Sequence, residues 1–337
     1  MKSYGGVWRR LTSLDTMLKA FHLAAMGKRS VPEVRDFQSN LHENLTGMIH
    51  DLESGSYRFG PYRRFMVWDP KPRQIHVAPF SQRVMHHAII LVVGSFLERS
   101  LVFDSYACRK GKGQHAAALR AYEFAKKSPW YLKMDIEKFY DSINHDCLRA
   151  LLNKRFREKE IHKTFDALIG SYETSSGCGL PIGNLTSQYF GNMYLDAFDH
   201  WVSEFKQVRG YVRYMDDMLI FCNTRDELNC LRHEIASWFD TERGLKIKHD
   251  GELNQVSQGI PFVGFIISPQ SIRLHKRSAQ RYSRKLGSLK RSYRMGLSDE
   301  QELQERSVSL VAATKLAKAE GFRKSVEERQ HTIKGYA

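Results

Sequence analysis

Two adjacent aspartates, Asp216 and Asp217, sit in the stretch GYVRYMDDMLIFC, residues 210–222, between two runs of strand-forming apolar residues. No other feature restricts the fold as tightly. The arms YVRY and MLIF, rich in β-branched and aromatic residues, read as strands. Side chains alternate faces along a strand, so an unbroken one would send the two carboxylates to opposite sides. A tight turn at the pair resolves the conflict. With the arms folded into a hairpin, the aspartates occupy the bend, and at least one carboxylate projects from the sheet rim while both arms bury apolar faces. Clustered carboxylates repel unless a cation neutralises them, and hard divalent ions such as Mg²⁺ accept oxygen ligands.

A Mg²⁺ site needs further oxygens, from another carboxylate or a substrate phosphate. LKMDIEKFYDS offers a candidate, because Asp135 interrupts the strand YLKMDI much as Asp216 interrupts its own. If the two strands are neighbours, Asp135 and Asp216 can share two metal ions, the arrangement that stabilises attacking and leaving oxygens in phosphoryl transfer. The charge balance points the same way. With 52 Lys and Arg against 37 Asp and Glu, the formal net charge is +15, which favours polyanionic partners, nucleic acid before an anionic membrane. The longest apolar run, Ala88 to Leu97, is shorter than the ~20 residues that span a bilayer. MKSYGGVWRR lacks the apolar core of a signal peptide, so a cytoplasmic protein without a membrane partner is expected. Five cysteines, an odd number with no C-x-x-C, argue against a disulfide framework and against a zinc site.

At 337 residues the chain exceeds the usual single-domain size, yet no composition shift divides it, so subdomains sharing cores are expected. Periodicity predicts helices over residues 8–55, a hairpin across YRRFMVWDPKPRQIHVAPF, and a buried helix from Ser81 to Glu98 capped by Ser81. After the basic glycine loop CRKGKGQ come the strand of Asp135, a helix over His145–Lys159, and the loop SGCGLPIG opening a helix over Leu185–Phe205. DELNCLRHEIASWFDTERG reads as a helix stopped by Gly244, LKIKH and PFVGFIIS as short strands, and the tail from Ser278 as helix. From Arg273 to Arg294 the tail has no acid and interleaves Tyr282 and Tyr293, the pattern of a salt-sensitive phosphate-binding surface.

YMDD, with VR before it and MLIF after it, resembles the catalytic turn of reverse transcriptases, and other blocks of that family follow in order. KPRQIHVAPFSQRVMHHAI and SYACRKGKGQHAA are similar to the first and second fingers blocks, and YLKMDIEKFYDSINHD to the palm block carrying the first catalytic aspartate. GLPIGNLTSQYFGN is similar to the loop and helix that hold the templating pair, GLKIKHDG to the segment before the next palm strand, and GIPFVGFII to the primer grip. The blocks run from about Tyr62 to Ile267.

The resemblance implies an α+β right-hand polymerase with fingers, a palm built on an antiparallel sheet, and a helical thumb. It divides the chain into an N-terminal helical region (1–60), fingers (61–130 and 148–200), palm (131–147 and 201–268) and a basic helical thumb (269–337). It implies that Asp135, Asp216 and Asp217 form the catalytic triad and, with the backbone carbonyl of Ile136, hold two Mg²⁺ ions, for which Mn²⁺ can substitute. Tyr140 falls at a steric gate against the sugar 2′ position, favouring dNTP substrates. Arg109, and Lys71 or Arg73, fall where the incoming triphosphate is held, which agrees with the need for cationic clamps on a transferring phosphoryl group. CRKGKG, however, offers several interchangeable cations around Arg109.

One departure carries information. Most of the family reads Q-G-x-x-x-S-P in the templating block, where this chain has Ile182, Gly183, Ser187 and Gln188. The I-G-x-x-x-S-Q variant resembles reverse transcriptases of diversity-generating retroelements and some stand-alone bacterial reverse transcriptases linked to anti-phage defence. Ile182 cannot donate the hydrogen bonds of a glutamine amide beside the incoming nucleotide, so looser positioning and reduced fidelity are expected. No maturase, nuclease or integrase block follows Ile267. Template choice and priming are therefore expected from a structured noncoding RNA, its RNA/DNA duplex, and an accessory protein or second subunit. The competing class is a catalytically degenerate RNA-binding protein with a polymerase fold. Three retained acids argue against it, because a pure binder has no reason to aim uncompensated negative charge at a polyanion.

Overall fold

The computed structural model describes residues 4–68, 72–206 and 208–332. Four helices, α1 (Val7–Leu11), α2 (Leu14–Ala25), α3 (Pro32–Ser39) and α4 (Leu41–Ser54), form the N-terminal region, and Gly55 ends α4 in the left-handed conformation. Strands β1 (Arg63–Trp68) and β2 (Pro72–Val77) pair antiparallel as the expected hairpin, with Phe65 opposite Ile75 and Val67 opposite Arg73. Helix α5 runs Phe80–Glu98, one residue ahead of the expected start, with Pro79 at its cap position. Ser81 therefore lies inside the first turn. Glu33 takes over the capping work, accepting a 2.5 Å hydrogen bond from the Phe80 N–H and pairing with Arg83 at 2.9 Å. By length and composition α5 could cross a bilayer, but most of it is buried inside the fold, where α2 and α9 pack on it.

Helix α6 (Gln114–Ala125) leads to β3 (Trp130–Asp135), and α7 (His145–Arg155) and α8 (Lys159–Ile169) follow. The single helix expected from Leu185 to Phe205 is broken into α9 (Leu185–Tyr194), α10 (Asp196–His200) and a π-helical turn at Trp201–Phe205. Strands β4 (Gly210–Tyr214) and β5 (Asp217–Cys222) form the central hairpin, and α11 (Arg225–Arg243) opens with a Thr224–Glu227 capping box and ends at left-handed Gly244.

LKIKH is not a strand. Ile247 makes one isolated bridge to Ile136 and residues 248–250 form a 3₁₀ turn; the strand that pairs with β3 is β6 (Glu252–Gln255). His249 and Asp250, both at positive φ, break the extended run that the alternating pattern implied. PFVGFIIS likewise splits at Val263 and Gly264 into β7 (Ile260–Phe262) and β8 (Phe265–Ser268), and β9 (Ser271–Leu274) completes a second sheet. Helices α12 (Lys276–Arg294), α13 (Glu300–Thr314) and α14 (Glu320–Thr332) close the chain.

The central sheet has the order β4-β5-β3-β6, antiparallel throughout. It is buried on both faces. Met218, Ile220 and Cys222 point into a large core shared with α2, α5, α7 and α9, while Leu219 and Phe221 point into a second core under α6 and β7–β8. This two-sided burial fixes the register, because a slip of one residue would exchange the faces. Gly210 shows how closely α6 approaches: a Cβ there would lie 2.4 Å from the Phe124 ring. The last helices hold a small core of their own, Tyr282, Leu286 and Val326, with Phe322 5.7 Å from the Tyr282 ring. Tyr282 is thus a core residue, not the nucleic-acid contact its place among basic residues implied. Tyr293 is the exposed member of the pair. The basic side chains fall on the opposite face of α12 because Tyr282, Leu286 and Leu289 recur at helical spacing.

Candidate active site

The turn between β4 and β5 has two residues, Met215 and Asp216, with Tyr214 paired to Asp217 across it. Only Asp216 occupies the bend. Asp217 is the first residue of β5 and lies directly opposite Asp135, the last residue of β3. Met215 has φ +59, a conformation the first loop residue of such a hairpin requires and one that glycine adopts most easily. Helix α9 supports the turn from below through Gly191, where a Cβ would lie 3.1 Å from the Phe139 ring and 3.6 Å from Met215 Sδ.

Directly opposed residues on antiparallel strands hold their Cβ atoms about 5 Å apart, so Asp135 and Asp217 face one another as like charges. Asp216 joins them from the turn, close enough to Asp135 for the two carboxyls to perturb one another. Desolvation first, and then the Asp135 charge, push Asp216 up to about 6 from 3.8. Desolvation also pushes Asp217 up to about 7, with Asp135 and Asp216 adding to it and Lys133 opposing. Three like charges at the end of a buried sheet leave one way down in energy other than protonation, which is cation binding.

Cations already approach the rim. Lys133 Nζ is 3.8 Å from Asp217 Oδ1, and Lys248 Nζ is 3.7 Å from Asp135 Oδ2. Neither lysine was singled out from the sequence. Lys133 could have been, because it lies two residues before Asp135 on the same strand face. Lys248 could not, because a turn and not a strand delivers it. Among the described residues, no three His, Cys, Asp or Glu side chains converge closely enough to form a metal site of their own. Mg²⁺ commonly takes one or two carboxylates and completes its shell with water and substrate phosphates, so an open set of acids fits that ion better than a closed cage would. Asp217 Oδ1 supports the fit: it is buried without a hydrogen-bond partner. Ile136, whose carbonyl was expected to join the ligands, is buried next to Asp135 and bridges to Ile247.

Tyr140 belongs to a 3₁₀ turn, Phe139–Ser142, just beyond β3. Its hydroxyl is held well above its ordinary pKa by burial, with contributions from Cys108 and Asp216 and opposition from Arg213 and Arg73. Arg73 is exposed on strand β2, and its charge weakly opposes the upward shift of both Asp216 and Tyr140. Arg73 thus lies near enough to Asp216 and Tyr140 for its charge to lower both, without forming an ion pair with either, while Lys71 lies outside the described residues. Arg109 is placed differently. Its guanidinium turns inward, donating to the Val102 and Ser105 carbonyls at 2.7 and 2.8 Å and lying 3.6 Å from Glu98. In this conformation it braces the loop that carries it.

The loop carrying Ile182 and Gly183 meets the β1–β2 hairpin directly. The His76 N–H of β2 donates to the Ile182 carbonyl at 2.9 Å, and a Cβ on Gly183, at φ +109, would lie 2.8 Å from Ile75. Gln188 is half-buried on α9, one turn before Gly191 and so on the face that supports the β4–β5 turn.

A protein-family model described as "Reverse transcriptase (RNA-dependent DNA polymerase)" matches residues 69–267, more than half of the chain. Among curated proteins, the Putative COX1/OXI3 intron 1 protein of Saccharomyces cerevisiae is 23% identical over 172 residues, covering 48% of this chain and 20% of that one. The Group II intron-encoded protein LtrA of Lactococcus lactis is 22% identical over 175 residues, covering 49% and 29% respectively. This chain thus spans less than a third of the length of these relatives. Among solved structures, apo telomerase from Candida tropicalis superposes with a TM-score of 0.52 at 14% identity, covering 86% of this chain and 64% of that one. That likeness establishes the right-hand polymerase fold.

Proposed function

The chain belongs to the reverse transcriptase family, and from that premise we propose that it is an active RNA-directed DNA polymerase, copying a dedicated structured noncoding RNA into cDNA. The observation that carries this is Asp135 opposite Asp217 with Asp216 in the adjoining β4–β5 turn, and two of the three acids held at raised pKa by burial and mutual repulsion. A binding protein gains nothing from such an arrangement, because it repels the RNA it must hold.

Two divalent ions, Mg²⁺ in the first instance, would be held by Asp135 and Asp216 with Asp217 and the Ile136 carbonyl; they supply charge neutralisation at the transferring phosphoryl group and a more nucleophilic primer hydroxyl. The chain's own residues do the positioning. Arg73 brings a cation from the fingers toward the triphosphate, and the Tyr140 ring presses on the sugar where a 2′-hydroxyl would sit. Ile182 and Gln188 shape the seat of the templating pair, and the exposed basic face of α12 takes the duplex backbone. The I-G-x-x-x-S-Q block favours a role in a diversity-generating retroelement, with anti-phage defence as the second setting for the same chemistry. A cytoplasmic location, and an accessory protein or second subunit that supplies template choice and priming, belong to the same proposal.

Primer extension on an RNA template with dNTPs and Mg²⁺ tests it. The wild type should extend and Asp216→Asn should lose at least ~10³-fold in kcat, since the metal-binding charge at the reacting centre is removed. Equal extension by both, or none by either on several RNAs, refutes the polymerase and leaves an RNA-binding protein.

A further inference from the structure

Beneath the catalytic turn lies an arginine with no exposure at all. Arg213, on β4 two residues before Met215, is 0% accessible, as is its ion-pair partner Asp199 of α10. A guanidinium has five N–H donors, and here each has an acceptor. Nε donates to Asp199 Oδ1 at 2.7 Å and Nη2 to Asp199 Oδ2 at 2.5 Å. Nη1 donates to Asn192 Oδ1 at 3.0 Å and to the Met215 carbonyl at 3.1 Å, and Nη2 also donates to the Asn192 carbonyl at 3.4 Å. Asn192 in turn donates through Nδ2 to the Ala107 carbonyl at 2.8 Å, in the loop that carries Arg109.

We propose that Arg213 is a positioning residue that holds the catalytic turn in its strained conformation, keeping Asp216 against Asp135. This rests on the polymerase reading above. Two forces work to open the turn: Met215 sits at positive φ without being glycine, and three carboxylates repel one another across the sheet end. Among these hydrogen bonds, the one to the Met215 carbonyl lies inside the turn itself, and the others anchor the guanidinium to α9 and α10. The fork is what allows one side chain to do both. Lysine carries the same charge but offers three donors from a single nitrogen, so it can satisfy Asp199 or reach Met215 but not reproduce the set.

Two variants separate positioning from plain stability. Arg213→Lys keeps a cation beside Asp199 and loses the fork. Tyr211→Phe keeps every donor of the fork and its bond to the Met215 carbonyl, and removes only a hydroxyl that donates to Asp199 Oδ1 at 2.6 Å, the oxygen that also accepts from Arg213 Nε. For Arg213→Lys, kcat for single-nucleotide addition should fall about 10- to 100-fold with the KM for dNTP and the primer–template affinity unchanged, the signature of misplaced reacting groups. Hydrogen exchange in the substrate-free protein should accelerate at the amides of residues 215–217. Tyr211→Phe should lower the melting temperature and leave kcat and turn exchange at wild-type values. Unchanged exchange at 215–217 in Arg213→Lys overturns the proposal, as does a kcat loss that merely tracks melting temperature across the two variants. If the wild type does not extend primers at all, the polymerase reading fails, while the exchange measurement still decides whether Arg213 holds the turn.

Discussion

Replacing Asp217 with asparagine should make the protein more stable while impairing its chemistry. With Asp217 held at about 7 in the folded chain against an ordinary 3.8, the ionised side chain destabilises the fold by about 4 kcal/mol at pH 8. The side chain is 29% exposed, and allowing for solvent screening leaves about 2 kcal/mol. The sign follows from linkage. A carboxyl whose folded pKa lies above its unfolded value takes up protons on folding, so the destabilisation is small below about pH 4 and grows as pH rises to about 7. Asparagine removes it. For a chain of 337 residues the unfolding entropy is about 0.7 kcal/mol per degree, so Asp217→Asn should melt about 3 °C above wild type at pH 8. At pH 5, where wild-type Asp217 is largely protonated in the fold, the gap should shrink to about 1 °C. Thermal denaturation without divalent ions, at both pH values, measures it. Added Mg²⁺ should then stabilise wild type more than the variant, since ion binding relieves the repulsion that the variant already lacks. A variant that melts at or below wild type at pH 8, or a gap of the same size at both pH values, would refute the idea that burying an ionised Asp217 beside other carboxylates destabilises the sheet end.

Tyr140→Ala should open the sugar side of the nucleotide site and lower the preference for dNTP over rNTP by at least ~10-fold, read from kcat/KM in single-nucleotide extension; an unchanged ratio removes Tyr140 from the gate. Ile182→Gln restores an amide donor beside the templating pair and should lower the misincorporation rate, which sequencing of cDNA from both proteins will show, with identical error spectra counting against any role in fidelity. Replacing Arg277 and Lys285 on the exposed face of α12 with glutamine should weaken duplex binding and make the plot of log affinity against log salt shallower by about 2, near 0.9 for each phosphate no longer neutralised. A slope that stays the same places the duplex elsewhere.

Much of the architecture was legible along the chain, because strand alternation, helical spacing and caps are local. The β1–β2 hairpin, the helices of the N-terminal region, the Gly244 stop and the strand–turn–strand around Asp216 all follow from residues within a few positions of one another. Where reasoning from neighbours failed, a distant contact or a backbone conformation that the side-chain pattern does not encode had intervened. Glu33 replaced Ser81 as the cap of α5, two residues at positive φ turned LKIKH out of the sheet, and Phe322 drew Tyr282 out of the basic face of α12.

The amino-acid order alone singled out the three acids as candidates for the chemistry, since acids interrupting apolar strands have few uses other than holding cations. It left open how those acids meet. Only the folded sheet decided that Asp217 stands opposite Asp135 while Asp216 takes the bend, because register is set by two cores that bury alternate residues of β5 on opposite faces. Only the fold decided, too, that the arginine preceding the turn is sealed beneath it. A buried guanidinium is tolerated only where every N–H finds an acceptor, and those acceptors come from α9, α10 and the turn itself, brought together by packing and not by sequence order.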